Sequence, residues 1–207
     1  FSTDWTDPVN CIGGVPGAND DVIIPALSSG HFSPTLPSST TINSLTIQSG
    51  GTLNGGTGTQ LTIVGGEGCW VNNGTFNPDT SRVIFTNAAA VMAGETNFYN
   101  VTIDTGAELT MSTNNIMRIA GTITNNGVWH AKFLVNTVEY NGGNQTVLNP
   151  NGETGGYQHL ILSGSGTKTM PASALSIAGN FSLSGTASAT AGSALTVSGS
   201  FTTGSGT

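Results

Sequence analysis

The stretch SLTI at Ser44–Ile47 returns as NVTI at Asn100–Ile103 and as HLIL at His159–Leu162. A second block follows inside each copy at a matched distance: LTIVG at 61–65, MRIAG at 117–121 and LSIAG at 175–179. The copies start at positions 44, 100 and 159, which gives a period of about 56–59 residues. Self-similarity at a fixed spacing of this size is the signature of solenoid or array architectures. The repeat therefore indicates a chain built from stacked, similar units.

Apolar and polar residues alternate with a period of two in short runs throughout the repeat. Such runs bury one face of a β-strand and leave the other face in water. Most are separated by roughly 15 to 22 residues and interrupted by Gly, Asn or Ser, which leaves room for one circuit of two or three strands. We expect the circuits to coil, with each run stacked on its counterpart at about 4.8 Å around an apolar column. The runs are Leu45/Ile47, Leu61/Ile63, Val83/Phe85, Val101/Ile103, Leu109/Met111, Met117/Ile119, Val138/Tyr140, Leu175/Ile177 and Leu195/Val197.

The chain has few charged side chains, and most of them are acidic. Of its 207 residues, four are basic and eleven are acidic, for a net charge of −7. A polyanionic partner such as nucleic acid, or an anionic membrane surface, would be repelled by this charge. No apolar stretch reaches the roughly 18 residues that suggest a membrane-spanning helix, so membrane insertion is not expected. Thirty glycines beside many Ser, Thr and Asn favour tight turns between short strands, and hence an all-β protein.

The composition and the first residue favour a secreted protein. The chain begins at Phe1 without an initiator methionine, as expected of a mature product whose secretory signal has been removed, or of a trimmed chain. The scarcity of lysine, the abundance of Thr, Asn and Gly, and the presence of only two cysteines agree with an extracellular surface protein. We therefore predict an extracellular or cell-surface location.

The two ends of the chain differ in composition. Residues 1–40 do not match the repeat and carry Trp5, five prolines and four of the eleven acidic residues, which predicts an N-terminal capping segment over the first turn. Residues 41–207 are the β-solenoid repeats. The alternating pattern continues through 195–201 with no polar, proline-containing or helical ending. This open C-terminal edge predicts either further repeats of a parent chain or another copy added head to tail.

An aromatic residue follows a Gly-x pair at four places. The aromatics are Phe76, Trp129, Phe181 and Phe201. One interpretation is a platform for stacking sugars, and the other is an internal stack formed by rings at the same point of successive turns. The regular placement favours the internal stack. The pairs Asn72-Asn73 and Asn125-Asn126 are interpreted as turn residues that form ladders between turns, since Asn tolerates left-handed backbone.

The opening of the chain carries a resemblance to a known group of proteins. The stretches WTDP at 5–8 and GGVPGANDDVIIP at 13–25 are followed by LTI, GxL and NNGxF units. In this pattern the whole chain resembles the large, repetitive secreted surface proteins of the Bacteroidota. The resemblance implies a right-handed parallel β-helix exported to the cell surface, with roles in adhesion, motility or matrix formation, and it implies no particular ligand. Cys11 and Cys69 depart from the general pattern.

Two lone cysteines in a secreted, lysine-poor chain are more often paired than free. We therefore predict a disulfide between Cys11 and Cys69 that joins the capping segment to an early turn. In the chain-entropy model, a bridge closing a loop of this length contributes on the order of 4 kcal/mol. The alternative is two buried thiols.

The sequence offers little catalytic or metal-binding chemistry. Polysaccharide lyases and hydrolases need clustered carboxylates with a basic partner, and the best available trio, Asp104, Glu108 and Arg118, is more simply interpreted as solvated charge. The histidines are isolated from one another and from the cysteines, which argues against zinc. Asp20 and Asp21, beside a glycine-containing loop, are the one candidate Ca²⁺ site, although the repeated Gly-Gly-x-Gly-x-Asp pattern is absent. No other cofactor is expected.

These observations favour a non-enzymatic structural module of an extracellular fibre, filament, stalk or adhesin. Its expected partners are other copies of itself or further repeats of the parent chain. The alternative is a carbohydrate-binding or adhesive module that recognises surface glycans through exposed Asn, Thr and aromatic side chains. A polysaccharide-degrading enzyme is the third hypothesis, which the missing cationic cluster disfavours.

Overall fold

The computed structural model describes residues 2–27, 32–152 and 155–204. These residues form a β-solenoid of about eight turns, in which short strands pair in parallel with the strands of the turns before and after. Within the described chain the helical content is one 3-10 turn at Pro8–Asn10. The predicted all-β coil of parallel strands is therefore confirmed.

The turns contribute strands to three sides, and one turn has only the isolated bridge of Tyr157 to Ile177 on the third side. The first side contains β4 (Thr52–Asn54), β7 (Thr75–Asn77), β10 (Thr96–Phe98), β13 (Ile116–Ile119), β16 (Thr137–Tyr140), β18 (His159–Leu162), β21 (Phe181–Leu183) and β24 (Phe201–Thr203). The second side contains β2 (Ser39–Ile42), β5 (Gln60–Ile63), β8 (Arg82–Phe85), β11 (Asn100–Ile103), β14 (Ile123–Asn125), β17 (Gln145–Thr146), β19 (Thr167–Thr169) and β22 (Ser188–Thr190). The third side contains β1 (Asp21–Ile24), β3 (Ser44–Ile47), β6 (Trp70–Asn72), β9 (Ala90–Ala93), β12 (Glu108–Met111), β15 (Val128–His130), β20 (Leu175–Ile177) and β23 (Leu195–Val197).

The length of one turn follows from the register of the strands. On the first side Thr96 pairs with Met117, Met117 with Val138, and Val138 with Leu160. One turn on this side therefore takes roughly 21–22 residues, at the short end of the range for solenoid repeats. The sequence repeat is longer than two such turns and shorter than three, so it is not a whole number of turns.

The three copies of the sequence repeat consequently do not stack on one another. The copies at β3, β11 and β18 belong to three different sheets, and each pairs with strands outside the repeat register. Leu45, for example, pairs with Val22 and Trp70. The expectation that each run lies above its counterpart was wrong, because the repeat advances each copy to a different side of the coil.

The predicted alternation gives the coil its core. Of the nine apolar pairs named above, those from Leu45/Ile47 to Leu175/Ile177 are buried, whereas Leu195 and Val197 are partly buried. Burial in β11 shows the cause, since Val101 and Ile103 point inward and the residues between and before them are half-buried. Parallel pairing keeps these inward positions in register from turn to turn. One apolar column therefore runs through the described turns.

The N-terminal segment joins the coil earlier than the boundary at residue 40 suggested. β1 already pairs with β3, and Thr35 bridges to Asp4 on one side and Asn54 on the other, in parallel. Trp5 and Leu36 are buried with the core. Apart from the Asp4 bridge, residues 2–20 consist of the 3-10 turn and short turns and bends, and a capping role for them stays a prediction.

Asparagine side chains hold several corners of the coil. The Oδ1 atoms of Asn72 and Asn125 accept hydrogen bonds from the N–H groups of Gly74 and Gly127, both at 3.2 Å, as expected for turn residues. Ladders between turns also form, such as Asn77 Nδ2 to Asn54 Oδ1 at 2.9 Å. Further ladders at other corners include Asn125 to Asn151 and the backbone N–H of Asn115 to Asn136.

Candidate functional site

The trio considered for catalysis does not assemble. Arg118 lies on the first side in β13, Glu108 begins β12 on the third side, and Asp104 lies in the turn after β11. Arg118 instead pairs with Glu95 at 3.2 Å and with Glu139 at 3.0 Å, and Glu108 approaches His130 at 3.4 Å. These contacts bind neighbouring turns together on outer surfaces. Asp104 and Glu108 therefore do not share Arg118 as a basic partner, and the two carboxylates that Arg118 contacts are those of Glu95 and Glu139.

The charged column around Arg118 is a structural feature of the first side. Arg118 pairs in register with Asn97 and Glu139, and Glu139 also accepts a 2.5 Å hydrogen bond from Ser163 Oγ. The guanidinium spans turns that follow one another along the coil axis. Partly exposed ion pairs of this kind contribute at most about 1 kcal/mol each.

The side chains of the two aspartates considered for Ca²⁺ accept hydrogen bonds from nearby protein groups. Asp20 Oδ2 accepts a hydrogen bond from Gly17 N at 2.8 Å. Asp21 Oδ1 accepts from Ser44 Oγ at 2.6 Å and Asn43 Nδ2 at 2.7 Å, and these bonds lower the pKa of this carboxyl. In the described chain no three His, Cys, Asp or Glu side chains converge as a metal site would require. Calcium binding at this loop stays a prediction.

The predicted disulfide is absent, which corrects the expectation from the sequence. Cys11 and Cys69 are free thiols that lie apart. Cys69 is buried just before β6, where its Sγ contacts the carbonyl of Val91 at 3.6 Å, and burial raises the pKa of this thiol to about 11. Cys11 follows the 3-10 turn, and its Sγ contacts the carbonyl of Trp5 at 3.7 Å. A disulfide requires close Cα atoms and convergent Cβ vectors. The prediction rested only on an extracellular location, which does not bring two cysteines together.

The four aromatics expected in one stack occupy three places. Phe181 and Phe201 stack with ring centroids 5.1 Å apart, but Phe201 is 58% exposed at the last described strand. Phe76 packs edge-on against Trp70 at 5.2 Å, and Trp129 packs against Tyr157 at 5.7 Å. Three of the rings are internal, as expected, but Phe76 and Phe181 lie several turns apart on the first side, and Trp129 lies on the third side. The single stack was wrong because the Gly-x-aromatic spacing does not match the turn length.

Two buried polar features lie outside the sequence expectations. Lys168 is fully buried in β19, and its Nζ donates to the carbonyls of Gly142 and Gly143 and to Gln145 Oε1 at 2.7 to 2.9 Å. Loss of hydration lowers the pKa of this amine to about 8. The Tyr140 and Tyr157 hydroxyls lie 3.0 Å apart inside the coil. Burial raises the pKa of both phenols.

A shallow groove on the first side is the candidate binding site. It has a volume of about 460 Å³ and runs over β13, β16, β18 and the corner before β21. Its floor includes Ile116, Thr137 and His159, which are paired in register. Val135 lies at its rim, in an exposed turn with Phe133 and Leu134.

One signal for this site is present in the sequence. Phe133-Leu134-Val135 is an apolar run without the period-two alternation of the strands, so it does not fit a strand with one buried face. The floor residues carry no separate signal, because outward Ile, Thr and His occur on every side of such a coil. A second cavity, of about 530 Å³, lies between the N-terminal segment and β1 and includes Trp5, Cys11 and Asp20.

Comparisons with known proteins do not assign the chain to a family. No protein-family model, no curated protein and no solved structure matches it. Within the described residues no helix is long and apolar enough to cross a membrane.

Proposed function

We propose that this chain is a non-enzymatic structural module of an extracellular surface fibre, filament, stalk or adhesin, in which the coil supplies stiffness and length. About eight turns at the usual strand spacing of ~4.8 Å give a rod of ~38 Å. In the described chain at least one backbone ladder pairs each turn with the next, and the apolar column continues along the coil. A secreted location and the likeness to Bacteroidota surface proteins belong to the same proposal.

The observation that carries this proposal is where the large apolar side chains are exposed. Among the described residues, six of the ten such side chains fall between Val9 and Phe32, and one is Phe201. The other three are Phe133 to Val135. The N-terminal group surrounds β1, an edge strand of the third side, and Phe201 belongs to β24, the edge strand of the first side at the opposite end. Exposed apolar surface at the ends of a polar rod favours contacts made end to end.

The charges favour contact between opposite ends over contact between like ends. Asp4, Asp7, Asp20 and Asp21 lie in the N-terminal segment, whereas no Asp, Glu, Lys or Arg follows Lys168 in the sequence. Two N-terminal ends brought together would repel each other more strongly than an N-terminal end against the strands β22 to β24, which carry no charged side chain. The open edge strands then receive either another copy or further repeats of a parent chain. Such head-to-tail contact builds a filament if it does not close.

Sedimentation velocity and electron microscopy of the purified chain at rising concentration test the self-assembly. We expect linear oligomers that dissociate when Phe201→Asp places a charge at the exposed edge. The matched control is Phe133→Asp, which removes another exposed Phe away from the ends. Deletion of residues 1–10 should also prevent assembly. Uniform monomers at every concentration would refute self-assembly.

Of the other hypotheses, glycan binding has the stronger support, from the groove on the first side. The degradative enzyme has less, because Asp104, Glu108 and Arg118 are distributed over different parts of the coil. Incubation with polyuronates and neutral polysaccharides, followed by a reducing-sugar assay, tests the enzyme hypothesis directly. We expect no increase in reducing ends.

A further inference from the structure

The groove on the first side is continuous across four turns. Ile116, Thr137 and His159 form one outward column, and the backbone N–H of Asn180 extends it by donating to His159 Nδ1 at 2.8 Å. At the usual spacing of about 4.8 Å per turn, this column is ~14 Å long. Ile161 lies beside it. The groove therefore has the shape to hold an extended ligand along the coil axis.

The rim of the groove is an apolar turn that contains a residue in the left-handed region. Leu134 is exposed and has a φ of 58°, in the left-handed region that costs a leucine free energy. Beneath it, buried Asn136 donates from Nδ2 to the carbonyls of Phe133 at 2.7 Å and Met111 at 3.1 Å. The exposed side chain of Leu134 adds little to the core. Backbone outliers of this kind cluster at functional sites, so exposed Leu134 beside the groove is a candidate for ligand contact.

The chemistry of the lining selects a neutral, polar ligand. Its polar groups are amides, hydroxyls and the His159 imidazole, beside aliphatic side chains such as Ile116 and Ile161. His159 Nδ1 accepts a hydrogen bond from the backbone N–H of Asn180, so Nε2 is the ring nitrogen left to contact a ligand. The neighbouring charges, Arg118 and Glu139, are paired with each other. An ionic ligand would find no free countercharge among the groups that line the groove.

The position of the groove also selects against a peptide strand. The floor strands lie inside a six-stranded sheet, where both backbone edges are paired with neighbours. An extended peptide gains its affinity by adding to an open edge, which this face does not offer. A ligand here must be recognised by side chains, through hydrogen bonds to its polar groups and contact with its apolar faces.

We propose that this groove binds a neutral saccharide chain lying along the coil axis. Sugar rings carry hydroxyl groups on their edges and C–H groups on their faces. The hydroxyls match Thr137, His159 and Asn180, and the C–H faces match Val135 and the aliphatic floor. The proposal does not depend on end-to-end assembly, because the groove lies on a side of the rod.

Binding of soluble neutral polysaccharides to the full chain tests the proposal. Affinity gel electrophoresis with a β-glucan, a xylan, a mannan and a dextran identifies a ligand, with a polyuronate as the charged comparison, and calorimetry then gives Kd. Thr137→Arg fills the groove, and Thr102→Arg, on an outward position of β11 on the second side, is the matched control. We expect Thr137→Arg to weaken binding by about tenfold or more, and the control to change it by less than about twofold.

A second variant separates binding from folding. Leu134→Gly removes the exposed side chain and relieves the left-handed strain, so the melting temperature should stay or rise while affinity falls. The proposal is overturned if no neutral polysaccharide binds, if the polyuronate binds more tightly, or if the two arginine variants behave alike. A loss of melting temperature in Leu134→Gly with unchanged affinity would also overturn the role of the tip.

Discussion

Replacing Lys168 with methionine should change how the stability of the coil depends on pH. The amine is 0% exposed and is surrounded by three oxygen acceptors, of which none is a carboxylate. Carbonyl dipoles offset part of the lost hydration, and the remaining penalty lowers the pKa from 10.5 to about 8. Methionine keeps a side chain of similar length without the charge.

The sign of the pH effect follows from the two pKa values. Between about pH 8 and 10.5 the unfolded chain keeps the Lys168 proton that the folded chain has released. The unfolded state therefore binds more protons, and the free energy of unfolding of the wild-type protein rises with pH in this window. At ~1.4 kcal/mol per pH unit, the gain reaches at most about 3 kcal/mol by pH 10.5. Below about pH 8 the penalty is present in full.

Urea unfolding followed by tryptophan fluorescence measures this effect at about pH 7.5 and again near pH 10.5. Cys69 and Tyr140, whose pKa values are raised to about 11 and 12, destabilise the fold in alkali, but they do so in both proteins. The quantity to compare is thus the difference between wild type and variant. Between the two pH values, we expect the free energy of unfolding of the wild type to increase relative to that of the variant by at most about 2 to 3 kcal/mol. A difference that is the same at both pH values would refute a depressed lysine pKa.

Three further outcomes are expected. Ile119→Asp, which places a carboxylate between Phe98 and Tyr140 in the core, should lower the free energy of unfolding by about 4 kcal/mol or more in urea, whereas outward Arg118→Ser should lower it by about 1 kcal/mol. Similar losses would contradict the assigned inward and outward positions. A thiol reagent should label half-buried Cys11 in the native protein and Cys69 only after unfolding, and absence of labelling in denaturant would restore the disulfide. Asn136→Ala should cost about 3 kcal/mol in thermal or urea unfolding, because two carbonyls and the Asn115 N–H lose a buried partner, and a near-neutral result would show that water replaces the side chain.

The strands and the core could be predicted from the sequence because alternation is a local property. Val101 and Ile103 are buried for the reason that their period-two spacing indicates, whichever strand lies beside them. Stacking is not local. On the third side, Leu45 pairs with Trp70 and Met92 pairs with Met111, so the first of these two turns is several positions longer than the second. Because the loops at the corners differ in length, the number of residues per turn varies and no fixed sequence period reveals it.

The buried polar side chains could not be predicted from the sequence for a related reason. Lys168 lies between two threonines in β19, and nothing in a Thr-Lys-Thr run marks the lysine as inward. Its orientation depends on pairing with buried Gln145 in the preceding turn, and pairing of that kind appears only once the coil is assembled. The candidate groove depends on neighbours in the same way, since its floor combines residues from several turns.

The mismatch between repeat and turn has a consequence for display on the surface. A unit that occupied a whole number of turns would place every copy of an outward residue in one line along the rod. Here Thr46, Thr102 and Ile161, the matching outward positions of the three copies, face away from the axis on three different sides. Outward residues that recur in the sequence repeat are thus distributed around the circumference of the coil. A partner approaching from any direction meets one copy, and no single flank carries them all.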